Sequence, residues 1–145
     1  MRFLRLAVLA SVAAVLFALA DALFSWNPVM AAIYRACARE PVFRHPPALG
    51  FGFAAEIING WIAVLAFILI EPGLARSSWR KGILFGLILW GFWVVSGTMS
   101  ATVWLALPWQ VALANVAFGL PKCLFIGCGI AWYRTRQLSA RRVWG

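Results

Sequence analysis

Residues 50–70, GFGFAAEIINGWIAVLAFILI, constrain the fold more than any other part of the chain. The run is apolar and long enough to cross a bilayer, which takes about 20 residues at about 1.5 Å of rise each. Yet Glu56, Asn59 and Gly60 stand at i, i+3 and i+4 within it, on one face of a helix. A carboxylate in hydrocarbon costs on the order of a few kcal/mol. Other spans must therefore receive it, so the chain is expected to form a bundle.

Composition supports that expectation. Hydrophobic residues make up 64% and charged residues 12%, against roughly 45–50% and 25% in soluble domains. The charges cluster between long apolar runs. The fold expected is an all-α integral membrane protein, one domain over residues 1–145. It is a compact four-transmembrane-helix bundle with spans near 4–26, 50–70, 82–107 and 110–133. A short amphipathic outer helix near 28–40 lies in the first loop, and a basic cytoplasmic tail occupies 134–145.

The net charge of +9 follows from arginines that flank the spans and face anionic headgroups. No nucleic-acid partner is expected. Cys37, Cys123 and Cys128 form no Cys-x-x-Cys pair and read as small packing residues.

Taken in order, residues 1–5 are a basic head before an apolar run that ends near Trp26. A basic start followed by Ala18-Leu19-Ala20 also fits a cleaved signal peptide. The small or polar residues Ala7, Ser11, Ala14, Ala18, Asp21 and Ser25 recur at alternating four and three, a seam for close helix contact that favours a retained span. Asn27-Pro28 is a capping residue followed by proline at the first helical position. The helix it starts is too short to span and is expected to lie on the outer membrane surface. A proline-stiffened connection follows, with a solvated His45.

The third span opens with Gly82 and Gly86 and continues through Gly91 to a polar run, Ser96 to Thr102. The fourth carries Asn115, Gly119, Cys123, Gly127 and Ala131 at intervals of four. These stripes point to close packing, and Gly82, Gly86, Gly119, Cys123 and Gly127 are the expected packing positions. Pro121 is expected to free the Ala117 carbonyl and kink the span, with Lys122 directly after it. The basic end of the chain is expected to lie along the headgroups. AEIING in the second span and ANVAFG in the fourth share a polar residue followed by glycine, which suggests a duplicated hairpin.

Nine basic residues flank one side of this topology and three the other, so both termini are expected in the cytoplasm. A bacterial cytoplasmic membrane is the expected location. On that orientation Asp21 lies about 7 Å from the outer edge, Asn115 about 9 Å, Glu56 about 10 Å, Asn59 about 14 Å and Lys122 about 20 Å. Asp21, Glu56, Asn59, Asn115 and Lys122 are the candidate intramembrane polar site. Lys122 can snorkel outward, and the expected contact is a Glu56–Lys122 pair bridged by Asn59 or Asn115, with Asp21 nearer water.

No catalytic constellation is visible. The sole histidine is in a loop, and neither a nucleophile elbow nor a phosphate-binding glycine loop occurs. No cofactor or metal is expected. In size and span count the chain resembles compact four-helix families such as the small multidrug transporters and DoxX-like proteins. That resemblance is one of hydropathy and implies a four-span architecture alone. The small multidrug transporters carry a membrane-embedded glutamate in the first span, where this chain has Asp21. The leading expectation is a non-enzymatic accessory, assembly or self-associating subunit whose polar residues set helix packing. Its partners would be the bilayer and a second copy or a membrane-complex subunit. The alternative is a proton-coupled small-solute transporter or ion pathway centred on Glu56.

Overall fold

A computed structural model describes residues 2–25, 27–37, 49–74, 77–104 and 108–143. Trp26, His45 and the proline-rich connection lie outside the described residues. Among those described, every regular element is helical. Helix α1 covers Arg2–Ala20 and passes into a π-helical turn, Asp21–Ser25. Helix α2 covers Pro28–Ala36 and α3 covers Leu49–Ile70. Helix α4, Ser78–Leu89, runs through a second π-helical segment, Trp90–Val95, into α5, Ser96–Trp104. Helix α6 covers Trp109–Val143. Four stretches, Leu6–Leu23, Ala54–Gly73, Ser78–Trp104 and Trp109–Ser139, are long and apolar enough to cross a membrane.

The start of α2 follows from its sequence. The Asn27 side chain accepts the backbone N–H groups of Val29 and Met30, both at 3.0 Å, and Pro28 takes the first turn, where an N–H would have no partner. At the other extreme, α6 continues past Tyr133 to Val143, so residues 134–143 extend the last helix. The basic tail expected over 134–145 was read from its charge, which does not fix its backbone. Arg, Gln, Leu and Ala are good helix formers, however, and no proline or glycine interrupts them before Gly145. Pro121 is accommodated within the same helix.

Helix α1 packs on α3, α4 packs on α6, and α1 also meets α6. Two of these contacts need glycine. A Cβ on Gly60 would stand 2.6 Å from the Ala14 backbone nitrogen, and one on Gly127 would stand 2.4 Å from the Gly82 carbonyl oxygen. Cys123 and Cys128 lie on the same seam, against Gly86 and Gly82. The glycines of α4 are thus taken up inside the chain.

The core between the helices is apolar. Leu9, Ala13 and Phe17 of α1 meet Val64 and Phe67 of α3, Phe85 and Leu89 of α4, and Ile126 and Ile130 of α6. The Phe67 and Phe85 rings pack edge to face, 5.0 Å apart. On α1 the buried residues are therefore Leu9, Ala10, Ala13, Phe17 and Ala20, offset from the small-residue seam expected there. Ala14 of that seam meets Gly60, but Ser11 is exposed and its hydroxyl bonds to the Ala7 carbonyl at 2.9 Å. Large aromatic side chains hold a core face better than a serine, which satisfies itself within its own turn.

Exposed tryptophans mark the two ends of the bundle. Trp104 and Trp109 stand at the end shared with α2, and Trp79 and Trp132 at the opposite end. Such tryptophans suit the two interfaces of a membrane-spanning bundle.

Candidate functional site

Asp21 is the first residue of the π turn that follows α1. Glu56 and Asn59 lie one turn apart on α3, and Asn115 and Lys122 two turns apart on α6. The structure brings Asp21, Glu56, Asn59 and Lys122 together. Lys122 Nζ donates to Asp21 Oδ1 in an ion pair that ties α1 to α6, with 21% and 23% of the two side chains exposed. The Glu56 carboxyl lies against the Asp21 and Asn59 side chains and within the field of Lys122. Its Oε2 is buried without a hydrogen-bond partner.

The partner of Lys122 is therefore Asp21, where Glu56 was expected. The expected depths order these groups along the bundle axis, with Lys122 the deepest and reaching outward. They say nothing of lateral direction, which decides which carboxyl the ammonium meets.

Asn115 is placed differently. It accepts the Tyr34 hydroxyl at 3.4 Å and so ties α2 to α6. Met30, one turn before Tyr34, is buried and anchors α2 on the bundle. The Tyr34 ring keeps some exposure, but burial of its hydroxyl end raises that group above the ordinary tyrosine range. The Asn115 contact opposes this shift, and the negative charge of Asp21 adds to it.

Beside the ionic cluster lies a cleft of about 320 Å³ between α2, the third span and α6. Met30, Trp93, Val94 and Phe118 give it apolar walls, and Thr98, Asn115 and Lys122 give it polar groups. Lys122 thus faces two ways, to Asp21 and to the cleft. Glu56 and Asn59 do not line the cleft.

Sequence reasoning did not anticipate the second π segment, Trp90–Val95, which shapes this wall. Trp93 and Val94 belong to it, and Val94 fills the space left by Gly119. The Trp90 indole N–H donates to the Val116 carbonyl at 2.9 Å, one residue before the Ala117 carbonyl that Pro121 deprives of its partner. The clustering of Trp90, Gly91 and Trp93 opposite a proline on the next span was the available signal. Of the polar run in α5, Thr102 bonds back to the Thr98 carbonyl at 2.8 Å, while Ser96 and Ser100 are exposed.

A second polar cluster closes the opposite end. Glu71 binds Lys81 Nζ and Arg134 Nε, each at 3.3 Å, and joins the second, third and fourth spans. Ser78 donates to the Ala131 carbonyl, which also takes the Thr135 hydroxyl. Among the described residues no group of three His, Cys, Asp or Glu side chains is placed to hold a metal.

No protein-family model, curated protein or solved structure matches this chain.

Proposed function

We propose that the chain is a non-enzymatic polytopic membrane protein that moves a small solute together with a proton. Both termini lie in the cytoplasm, and Asp21, Glu56 and Lys122 form the coupling site in the outer half of the bundle. One observation carries the reading: Lys122 holds Asp21, which adjoins Glu56, and the same lysine forms part of the wall of a cleft. Two carboxyls and one ammonium make a cluster whose net charge changes by one when a single proton is gained or lost. In a medium where charge is expensive, such a change alters what the neighbouring cleft can hold.

The test is transport by purified protein in liposomes that enclose a pH-sensitive dye. A solute panel of inorganic ions, organic acids, amines and neutral sugars is expected to contain a member that drives proton movement. Glu56→Gln and Lys122→Met should abolish that movement while helicity and monodispersity are kept. A panel that moves no protons would refute the reading.

A second reading has its own support. An apolar groove runs along α1, lined by Leu4, Ala7, Val8, Ser11, Val12 and Val15, and small residues at its floor suit a neighbouring helix. This surface, and not the glycines of α4, is the one a partner or second copy would use. Ser11→Cys should then crosslink in membranes to another chain. Monomeric Ser11→Cys under oxidant would exclude it.

A further inference from the structure

The charge order within the site points to a ligand class, an inference that rests on the transport reading above. We propose that the cleft binds a small organic monoanion with an apolar body, its anionic group on Lys122, and that binding draws a proton onto the Asp21–Glu56 pair. The carboxyls lie behind Lys122 and do not line the cleft, so the first charge a ligand meets is the ammonium. Asn115 and Thr98 add polar side chains for the same head group, and Trp93, Phe118 and Met30 enclose the remainder. A volume of about 320 Å³, at roughly 30 Å³ per water, holds about ten waters. That suits a single-ring carboxylate and falls at the small end of ligand pockets.

The proton balance follows from the groups present. With both carboxyls ionised the cluster carries one negative charge, and with one proton it is neutral. An anion that takes Lys122 as its partner brings in one further negative charge and releases Asp21 from its ion pair. One proton taken from water by Asp21 and Glu56, already side by side, restores the balance. Among the described residues, the charged and titratable groups around this exchange are Asp21 at the end of α1, Tyr34 from α2, Glu56 from α3, and Lys122 and Cys123 from α6. The third span contributes the hydroxyl of Thr98 and no charge to the cleft lining.

Equilibrium binding to protein in lipid nanodiscs tests this with three probes of matched size: benzoate, benzylamine and benzyl alcohol. Benzoate should bind saturably and benzylamine should not. Benzoate affinity should rise as pH falls, by up to about tenfold per pH unit for one coupled proton, with proton uptake measurable in weakly buffered solution. Lys122→Met should lose benzoate binding and Lys122→Arg should retain it, which separates charge from folding. Saturable benzylamine binding without benzoate binding would overturn the anion class and leave proton-coupled transport standing. Benzoate binding without proton uptake would overturn the coupling. Failure of all three probes on folded protein would remove the cleft as a site for such solutes, whatever the liposome panel shows.

Discussion

Replacing Lys122 with methionine keeps an unbranched side chain of similar length and removes the cation that pairs with Asp21 and lies near Glu56. Breaking a fully buried ion pair by removing one partner costs about 3–5 kcal/mol. Here about a fifth of each side chain remains exposed, so the orphaned carboxylate keeps part of its access to polar surroundings. The expected destabilisation of Lys122→Met is therefore about 2–3 kcal/mol. Reversible unfolding in mixed micelles, titrated with denaturing detergent and followed by circular dichroism, gives this value directly.

The same assay can separate the two carboxyl partners. In a double-mutant cycle, Lys122→Met with Asp21→Asn should show a coupling of about 1–2 kcal/mol, at the upper end of polar contacts between membrane helices. Lys122→Met with Glu56→Gln should couple more weakly, at about 0.7 kcal/mol or less. The reverse order would mean that Glu56 is the partner of Lys122. A Lys122–Asp21 coupling under about 0.3 kcal/mol, the range expected for independent sites, would refute the ion pair as a stabilising contact.

Three further outcomes follow from the geometry. Leucine at Gly86 or Gly127 must displace α6 or α4 backbone and should cost at least about 1–3 kcal/mol, whereas leucine at Gly91 or Gly97, with open space around each, should leave the unfolding midpoint unchanged. Glu71→Gln loosens the Lys81 and Arg134 contacts together and should cost about 1 kcal/mol, with faster amide exchange at the start of α4. The Tyr34 hydroxyl titrates above the ordinary value of 10.0 in the folded chain. Its contribution to α2 docking should hold below pH 10.0 and fade as pH rises through the higher folded value, an effect that Tyr34→Phe abolishes in a protease-protection assay on α2.

How much of this was legible in the sequence depends on what each residue pattern specifies. Periodic features could be read: runs of about 20 apolar residues give the spans, and small residues at intervals of four in α4 (Gly82, Gly86) and α6 (Gly119, Cys123, Gly127) face the same way on any regular helix, so the close approach of these two helices follows from spacing. The offset on α1 was not legible in the same way. Small residues mark where helices can approach, but the core face is taken by Leu9 and Phe17, which bury more surface. That α6 continues as one helix to Val143 was not legible in the arginines after Tyr133, because charge reports on headgroups and does not say whether the backbone beneath it is helical.

The ionic cluster shows the deeper reason. Rise per residue fixes one coordinate of a side chain and orders Asp21, Glu56, Asn59 and Lys122 along the bundle axis. The angular coordinate assumes an unbroken 3.6-residue turn. A π-helical turn adds a residue to its hydrogen-bonded ring and rotates everything beyond it. Both such turns among the described residues adjoin this site, Asp21–Ser25 at the ion pair and Trp90–Val95 at the cleft wall. Glu56, Asn59 and Lys122 themselves lie on regular α-helix, so their partners are set by how the helices sit side by side, which spacing within one helix does not give. Each π turn begins at a residue bonded to α6: Lys122 donates to Asp21, and the Trp90 indole donates to the Val116 carbonyl. Both α6 partners come from the stretch around Pro121, so the proline that loosens one helix stands beside the contacts to irregular turns in two others.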